Sequence, residues 1–497
     1  MQTTTTLRPE ETMSKGARWS FFAVISSGLL MVGLDNSILY TALPALNEQL
    51  HTDSTQQLWI INAYALVLAG LLLGTGTLGD KIGHRRMFVY GLWIFGAASL
   101  AAAFAPSAWA LVAARAVLGL GAAIMMPATL ALIRLTFHDE VERNTAIGIW
   151  ASVAVVGAAA GPTVGGLLLE HFWWGSVFLI NVPIVLIALV ATRLLAPPNI
   201  ANPDKHWDLI SSLLALVTLS SLVMAIKSAA STEPNWGMVA GTLIVCAIGG
   251  SFFARRQRQL TEPLLTFDVF RSPVFTGGVL AAGGAMFAMA GVEMTTTQKL
   301  QLVDGFSPLQ AGLVVSAMAI AAVPTSTLGG ATLHRVGFLP LISGGFVLMA
   351  AGVGAAFWAG RHDALWLFVV AMVFAGMGAG LAMSVASTAI IGAAPPHRSG
   401  MAASVEEVSY EFGTLLSIAI TGSLVPLFMA QGLPANIAAL GMEALYQDST
   451  HAAAAVAYND GYMYTLCILA AVTVGFAAAT AYCFRHNPKS GGSVGSH

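Results

Sequence analysis

The chain has 497 residues, of which 56% are hydrophobic and only 9% charged, with a formal net charge of −2 and a mean hydropathy of +0.75. A soluble domain carries roughly a quarter charged residues, so this composition argues against a soluble enzyme or a nucleic-acid-binding protein. It points to a lipid bilayer as the solvent: apolar runs of the ~20 residues that cross one recur along the whole length and predict about fourteen membrane helices.

Residues 1–18 form a polar, Thr-rich tail without the apolar core of a cleavable signal. The first span, 19–44, is expected to target the chain to the membrane, and it carries Asp35 deep within LDNSILYTALP. Span 56–79 contains Trp59 and Tyr64, and leads to 86–105 through Gly76-x-x-x-Asp80-x-x-Gly83-x-Arg85-Arg86. The glycines there permit a tight turn, and Asp80 is placed to meet a helix N-terminus or an arginine. Span 108–133 holds Arg115 within LVAARAVLGLGAA. Arg143 opens span 143–169, which includes Trp150 and the run GAAAGPTVGG with Gly157, Gly161, Pro162, Gly165 and Gly166. Glycines at four-residue spacing let two membrane helices approach closely, and proline removes a donor and bends the helix. Such a helix suits a protein whose two halves rock against each other. Span 174–195 completes a first six-helix bundle, 19–195.

An inserted helix pair is predicted over 207–254, followed by a second six-helix bundle over 273–484 and a tail at 485–497. Span 273–299 carries Phe287, Met289 and Glu293; span 400–429 carries Glu406, Glu407, Tyr410 and Glu411. Gly330-x-x-x-His334-x-x-Gly337 repeats the offsets of the first-half loop, with His334 in place of the acid, as in transporters built from parallel repeats. The loop 430–461 is Ala-rich, contains Glu443, Asp448 and Asp460 but no Lys or Arg, and reads as a hairpin, a cap or a linker. Cys246, Cys467 and Cys483 show neither metal spacing nor a disulfide framework and read as small apolar fillers.

Basic residues fix the expected orientation, because Lys and Arg favour cytoplasmic loops. With both termini inside, 18 of the 22 basic residues fall on the inner side; Lys227, Lys299 and Arg361 fall outside, and Arg115 lies within a span.

Ionisable groups within spans default to functional roles. The acids Asp35, Glu293, Glu406, Glu407 and Glu411 outnumber the one base, Arg115. A cavity lined in this way attracts cations and repels anions, and Tyr64, Trp150, Phe287, Met289 and Tyr410 are candidates to hold a flat cation by cation–π and dispersion contacts. Glu407 and Glu411 share a helix face, whereas Glu406 points about 100° away from Glu407. Burial and neighbouring acids favour a protonated carboxyl, so Asp35 and the Glu407/Glu411 pair are expected to exchange protons and to couple inward proton flow to outward cation flow by competition. Asp35→Asn is expected to abolish that coupling while leaving the fold intact.

These motifs resemble the major facilitator superfamily. GAAAGPTVGG resembles its antiporter signature, the Gly76–Arg86 loop its conformational latch, LDNSILYTALPAL the first helix of its fourteen-helix drug:proton antiporters, LVAARAVLGLGAA their fourth-helix arginine motif and FLINVP their sixth helix. The glutamates of span 400–429 resemble the acidic cluster of the pumps in that subfamily that export quaternary ammonium compounds, methyl viologen and biguanides from enteric bacteria. The resemblance implies an all-α, multi-pass protein of the bacterial inner membrane that exports lipophilic mono- and dications against protons, with Asp35, Arg115, Glu407 and Glu411 in proton coupling. It implies a monomer embedded in lipid, with no cofactor or metal because the proton gradient supplies the drive. An exporter of an endogenous metabolite or siderophore is the alternative left open.

Overall fold

The computed structural model describes residues 13–137, 139–202, 207–230, 234–260, 263–362, 364–394, 399–434, 437–447 and 449–486. Some side chains within helices, among them Asp80 and Arg143, lie outside the described ones. The long helices are α1 (Lys15–Leu50), α2 (Ser54–Ile82), α3 (His84–Ala103), α4 (Ala108–Thr136) and α5 (Glu140–His171), then α6 (Ser176–Leu195), broken at Ile180. They continue with α7 (Leu209–Ala230), α8 (Trp236–Gln259), α9 (Pro273–Leu302), α10 (Pro308–Val336), α11 (Phe338–Arg361), α12 (Leu365–Ala393), α13 (Ser399–Gly432) and α14 (His451–Phe484). Among the described residues, 13 helices, all of these but α5, are long and apolar enough to cross a membrane. A bilayer core satisfies no backbone polar group, so the chain must satisfy them within helices.

Helix starts follow local chemistry. Asp53 and Ser307 close capping boxes with Gln56 and Gln310 at α2 and α10, and Ser14, Ser107 and Ser272 cap α1, α4 and α9. The repeated loop motif has a backbone cause: Gly83 and Gly337 each end a helix with positive φ, 98° and 89°, a conformation a Cβ disfavours.

The packing is itself duplicated. In the first half α1 packs on α5 and α6, α4 on α2 and α3, and α3 on α6; in the second half α9 packs on α13 and α14, α12 on α10 and α11, and α11 on α14. Each pair in one half has its counterpart eight helices on. The halves meet where α5 touches α10, α2 touches α13 and α1 touches α9, and α7, paired with α8, lies against α2 and α13.

Two segments differ from the sequence reading. The last helix begins at His451, not near 462, and the loop before it contains a 3-10 helix, Ala438–Tyr446, packed on α13 and α14. Helix length is not limited to the apolar span: α1 and α14, at 36 and 34 residues, outrun the ~20 that a bilayer core requires.

Candidate functional site

Asp35 of α1 is fully buried. Its Oδ2 forms an ion pair with Arg115 Nη1 of α4, and its Oδ1 accepts from Asn181 Nδ2 of α6 at 3.2 Å. Asn181 also donates to Ser99 Oγ of α3 at 3.3 Å. Arg115 Nε donates to the Ile60 carbonyl of α2 at 3.0 Å, and its guanidinium lies 4.5 Å from the centroid of the Tyr64 ring, a cation–π distance. The polar residues of three motifs, Asp35, Arg115 and Asn181, thus converge on one network spanning five helices of the first half. Asn181 had a signal in the sequence: it is the one polar side chain in FLINVP.

Across the seam lie acids of the second half. Glu293 of α9 is buried and within electrostatic range of Tyr40. Glu411 of α13 is within electrostatic range of Tyr40, Tyr64 and Arg115, and its Oε2 is buried without a hydrogen-bond partner among the described residues. Tyr40 therefore lies within electrostatic range of both glutamates across the seam, and Tyr64 of one. The sequence reading included Tyr64 but missed Tyr40, which sits five residues after Asp35 in an apolar setting and carries no pattern that distinguishes it from core. It also missed Asn62, fully buried with neither amide atom paired among the described residues.

The remaining candidates separate. Glu407 feels Glu406 and Glu411 and is half-buried. Glu406 accepts from the Tyr410 hydroxyl at 3.0 Å, which ties both to their own half. Phe287 and Met289, expected at the substrate site, are packed instead in the core of the second half, Phe287 with its ring 6.0 Å from that of Phe476. Trp150 donates from Nε1 to Thr129 Oγ1 at 3.1 Å, linking α5 to α4. Asp35 is shielded by Arg115 rather than open to a cavity. His334 is exposed and accepts from its own neighbour, Arg335.

The glycines of GAAAGPTVGG divide between two partners. A Cβ on Gly157 would lie 2.8 Å from the Leu30 carbonyl oxygen, and one on Gly161 2.8 Å from the Ile38 nitrogen, both in α1. One on Gly166 would lie 2.6 Å from the Leu309 nitrogen of α10, and the Pro162 carbonyl abuts Gly312. Helix α5 is thereby sealed to its own half on one face and to the opposite half on another.

Two bundles in parallel repeat around a buried acidic seam define a multi-pass membrane transporter, not an enzyme. Residues 25–300 and 274–482 match the family described as Major Facilitator Superfamily, and the chain belongs to it. It is 36% identical over 408 residues to "Methyl viologen resistance protein SmvA" of Salmonella typhimurium (strain LT2), covering 82% of each chain. It is 37% identical over 424 residues to "Multidrug efflux pump LfrA" of Mycolicibacterium smegmatis, covering 84% of this chain and 83% of the other. Among solved structures it resembles a bacterial homologue of the human lysosomal transporter Spinster, inward-facing and unoccupied, with a TM-score of 0.65, 17% identity, and 97% and 100% of the two chains covered. A place in the bacterial inner membrane and small-molecule substrates follow from this membership.

Proposed function

We propose that this transporter exports lipophilic mono- and dications, such as quaternary ammonium compounds, viologens, biguanides and cationic dyes, in exchange for protons by alternating access. The observation that carries this reading is the seam, where Glu293 and Glu411 lie within electrostatic range of Tyr40, and Glu411 of Tyr64, beside the Asp35–Arg115 pair. Buried carboxylates beside aromatic rings suit a flat cation. A dication needs a second negative centre, because a buried unpaired charge costs several kcal/mol. The likeness to a methyl viologen resistance protein and to a multidrug efflux pump supports the same substrate class. A carboxylate cannot hold a proton and a cation equally well at once, so protonation from one side releases the substrate there. Asp35, Glu407 and Glu411 are the coupling acids in this reading, with Arg115 paired to Asp35.

Energised inverted vesicles test it with matched mono- and bis-quaternary dyes. We expect an uncoupler to stop uptake of both. Glu411→Gln is expected to weaken dication transport about tenfold more than monocation transport, an ion-pair difference of about 1.4 kcal/mol, and Glu406→Gln to affect both less, since Tyr410 holds that carboxylate in its own half. Uncoupler-resistant uptake would reject proton exchange. An equal loss of both dyes in Glu411→Gln would assign that acid to protons alone.

A further inference from the structure

Away from the seam, Arg85, Arg86, Val89, Tyr90 and Asn199 line a recess of about 300 Å³ where α3 begins. The polar groups of Asn199 are already engaged: Nδ2 donates to the Ile82 carbonyl at 2.9 Å and Oδ1 accepts from the Arg86 backbone at 3.2 Å. Asn199 is thus wall rather than ligand, stitching the segment after α6 to the α2–α3 turn. Arg85 donates one Nη1 hydrogen bond to the Pro197 carbonyl at 3.3 Å. The Arg86 guanidinium has no hydrogen-bond partner among the described residues, and no described carboxylate forms an ion pair with either arginine. Two positive charges without an ion-pair partner among the described residues therefore border one recess.

Its position identifies what can fill it. Arg86, Tyr90 and Trp93 follow one another along one face of α3, and Tyr90 and Trp93 are 51% and 58% exposed. The face continues through exposed Leu100 and Phe104. This is the lipid-facing stripe of α3, with an arginine at its polar end and two aromatic rings just below, the order found at a membrane–water interface. Basic pockets at that depth suit anionic headgroups, and the α3 N-terminus adds a favourable field. We propose that the recess holds the phosphodiester headgroup of an anionic phospholipid, paired with Arg85 and Arg86, while its acyl chains run along Tyr90 and Trp93. A free phosphate has no use for the apolar stripe, so the occupant is the lipid.

Native mass spectrometry of the detergent-purified full chain tests this with phosphatidylglycerol, phosphatidylcholine of the same acyl chains, and inorganic phosphate. The expected result is selective retention of phosphatidylglycerol by the wild type, no retention of inorganic phosphate, and affinity lowered about fivefold per arginine removed, the effect of one basic residue near an anionic surface, in Arg86→Gln and in Arg85→Gln/Arg86→Gln. Arg335→Gln, at the end of α10, is expected to keep the preference. If the double variant does not fold, Arg86→Gln decides alone, since its exposed side chain touches no described partner. No preference for phosphatidylglycerol in the wild type, unchanged binding by Arg86→Gln, or equal loss in Arg335→Gln would overturn the proposal.

Discussion

Removing one member of the Asp35–Arg115 pair leaves the other's charge inside the first half, where the two side chains are 0% and 1% exposed. Breaking a buried pair in this way costs about 3–5 kcal/mol. Asp35→Asn is therefore expected to lower thermal stability in detergent as well as to stop coupled export, contrary to the intact fold that the amide's shape suggests. Asp35→Asn/Arg115→Gln is expected to recover most of the lost stability but none of the coupling. A scanning fluorescence melt beside a dye-transport assay distinguishes the two effects; a single variant as stable as the wild type would show that the pair is not the neutralising unit.

At the scale of an element, α5 and the inserted pair behave differently. A side chain at Gly161 has no room against the α1 backbone, so Gly161→Val is expected to destabilise the first half by about 1–3 kcal/mol. Gly166 touches the opposite half instead. Gly166→Ala is expected to leave the melt nearly unchanged and to widen the α5–α10 distance, measured by spin labels on the two helices; an unchanged distance would refute the wedge.

The inserted pair is held at one end by Arg256, which binds Asp208 through Nε and Nη2 at 2.8 and 2.9 Å, with Ser211 Oγ on the same carboxylate at 2.5 Å. Burial opposes ionisation of Asp208, but the hydrogen bonds from Arg256 and Ser211 outweigh it and hold the carboxyl below its usual range. A lowered folded-state pKa means that the contribution is complete above the ordinary carboxylate value of ~3.9 and is lost as pH falls through the lowered one. The stability difference between wild type and Asp208→Asn is accordingly expected to be full at neutral pH and to shrink only in strong acid. A difference that varies between pH 5 and 8 would contradict this.

Over the whole molecule, the contacts between the halves gather at one end. Asn47 donates to the Tyr446 hydroxyl at 2.7 Å, and Gln301 to the Thr41 carbonyl at 3.2 Å. Gly166 meets Leu309 nearby, beyond the middle of α5. These groups lie in or towards the turns after α1, α5, α9 and α13, away from the α1 and α14 ends that carry the chain termini. The alternating-access cycle proposed above requires this end to part. In a chain lacking Cys246, Cys467 and Cys483, Asn47→Cys and Tyr446→Cys joined by a short thiol cross-linker are expected to stop transport, and a cleavable linker to restore it on reduction. Full transport while cross-linked would show that the contact does not open.

The sequence by itself determined the membrane class, the two halves and most helices, because a bilayer forces long apolar runs into helices and glycine spacing records close backbone approach. Gly83 and Gly337 carried the internal repeat for the same reason: only a residue without Cβ accepts that turn readily. It also singled out Asp35, Arg115 and Glu411, since an ionisable group in an apolar run is costly enough to need a cause. The tertiary structure alone decided which of these groups meet. Asp35 and Arg115 are 80 positions apart, and no periodicity within one helix reports a pairing between helices. The same limit hid the packing of Phe287 and Met289 within the core of the second half and left Tyr40 and Asn62 unmarked: which way a helix face turns is set by its neighbours' packing, and in a chain apolar on every side the sequence carries little record of it.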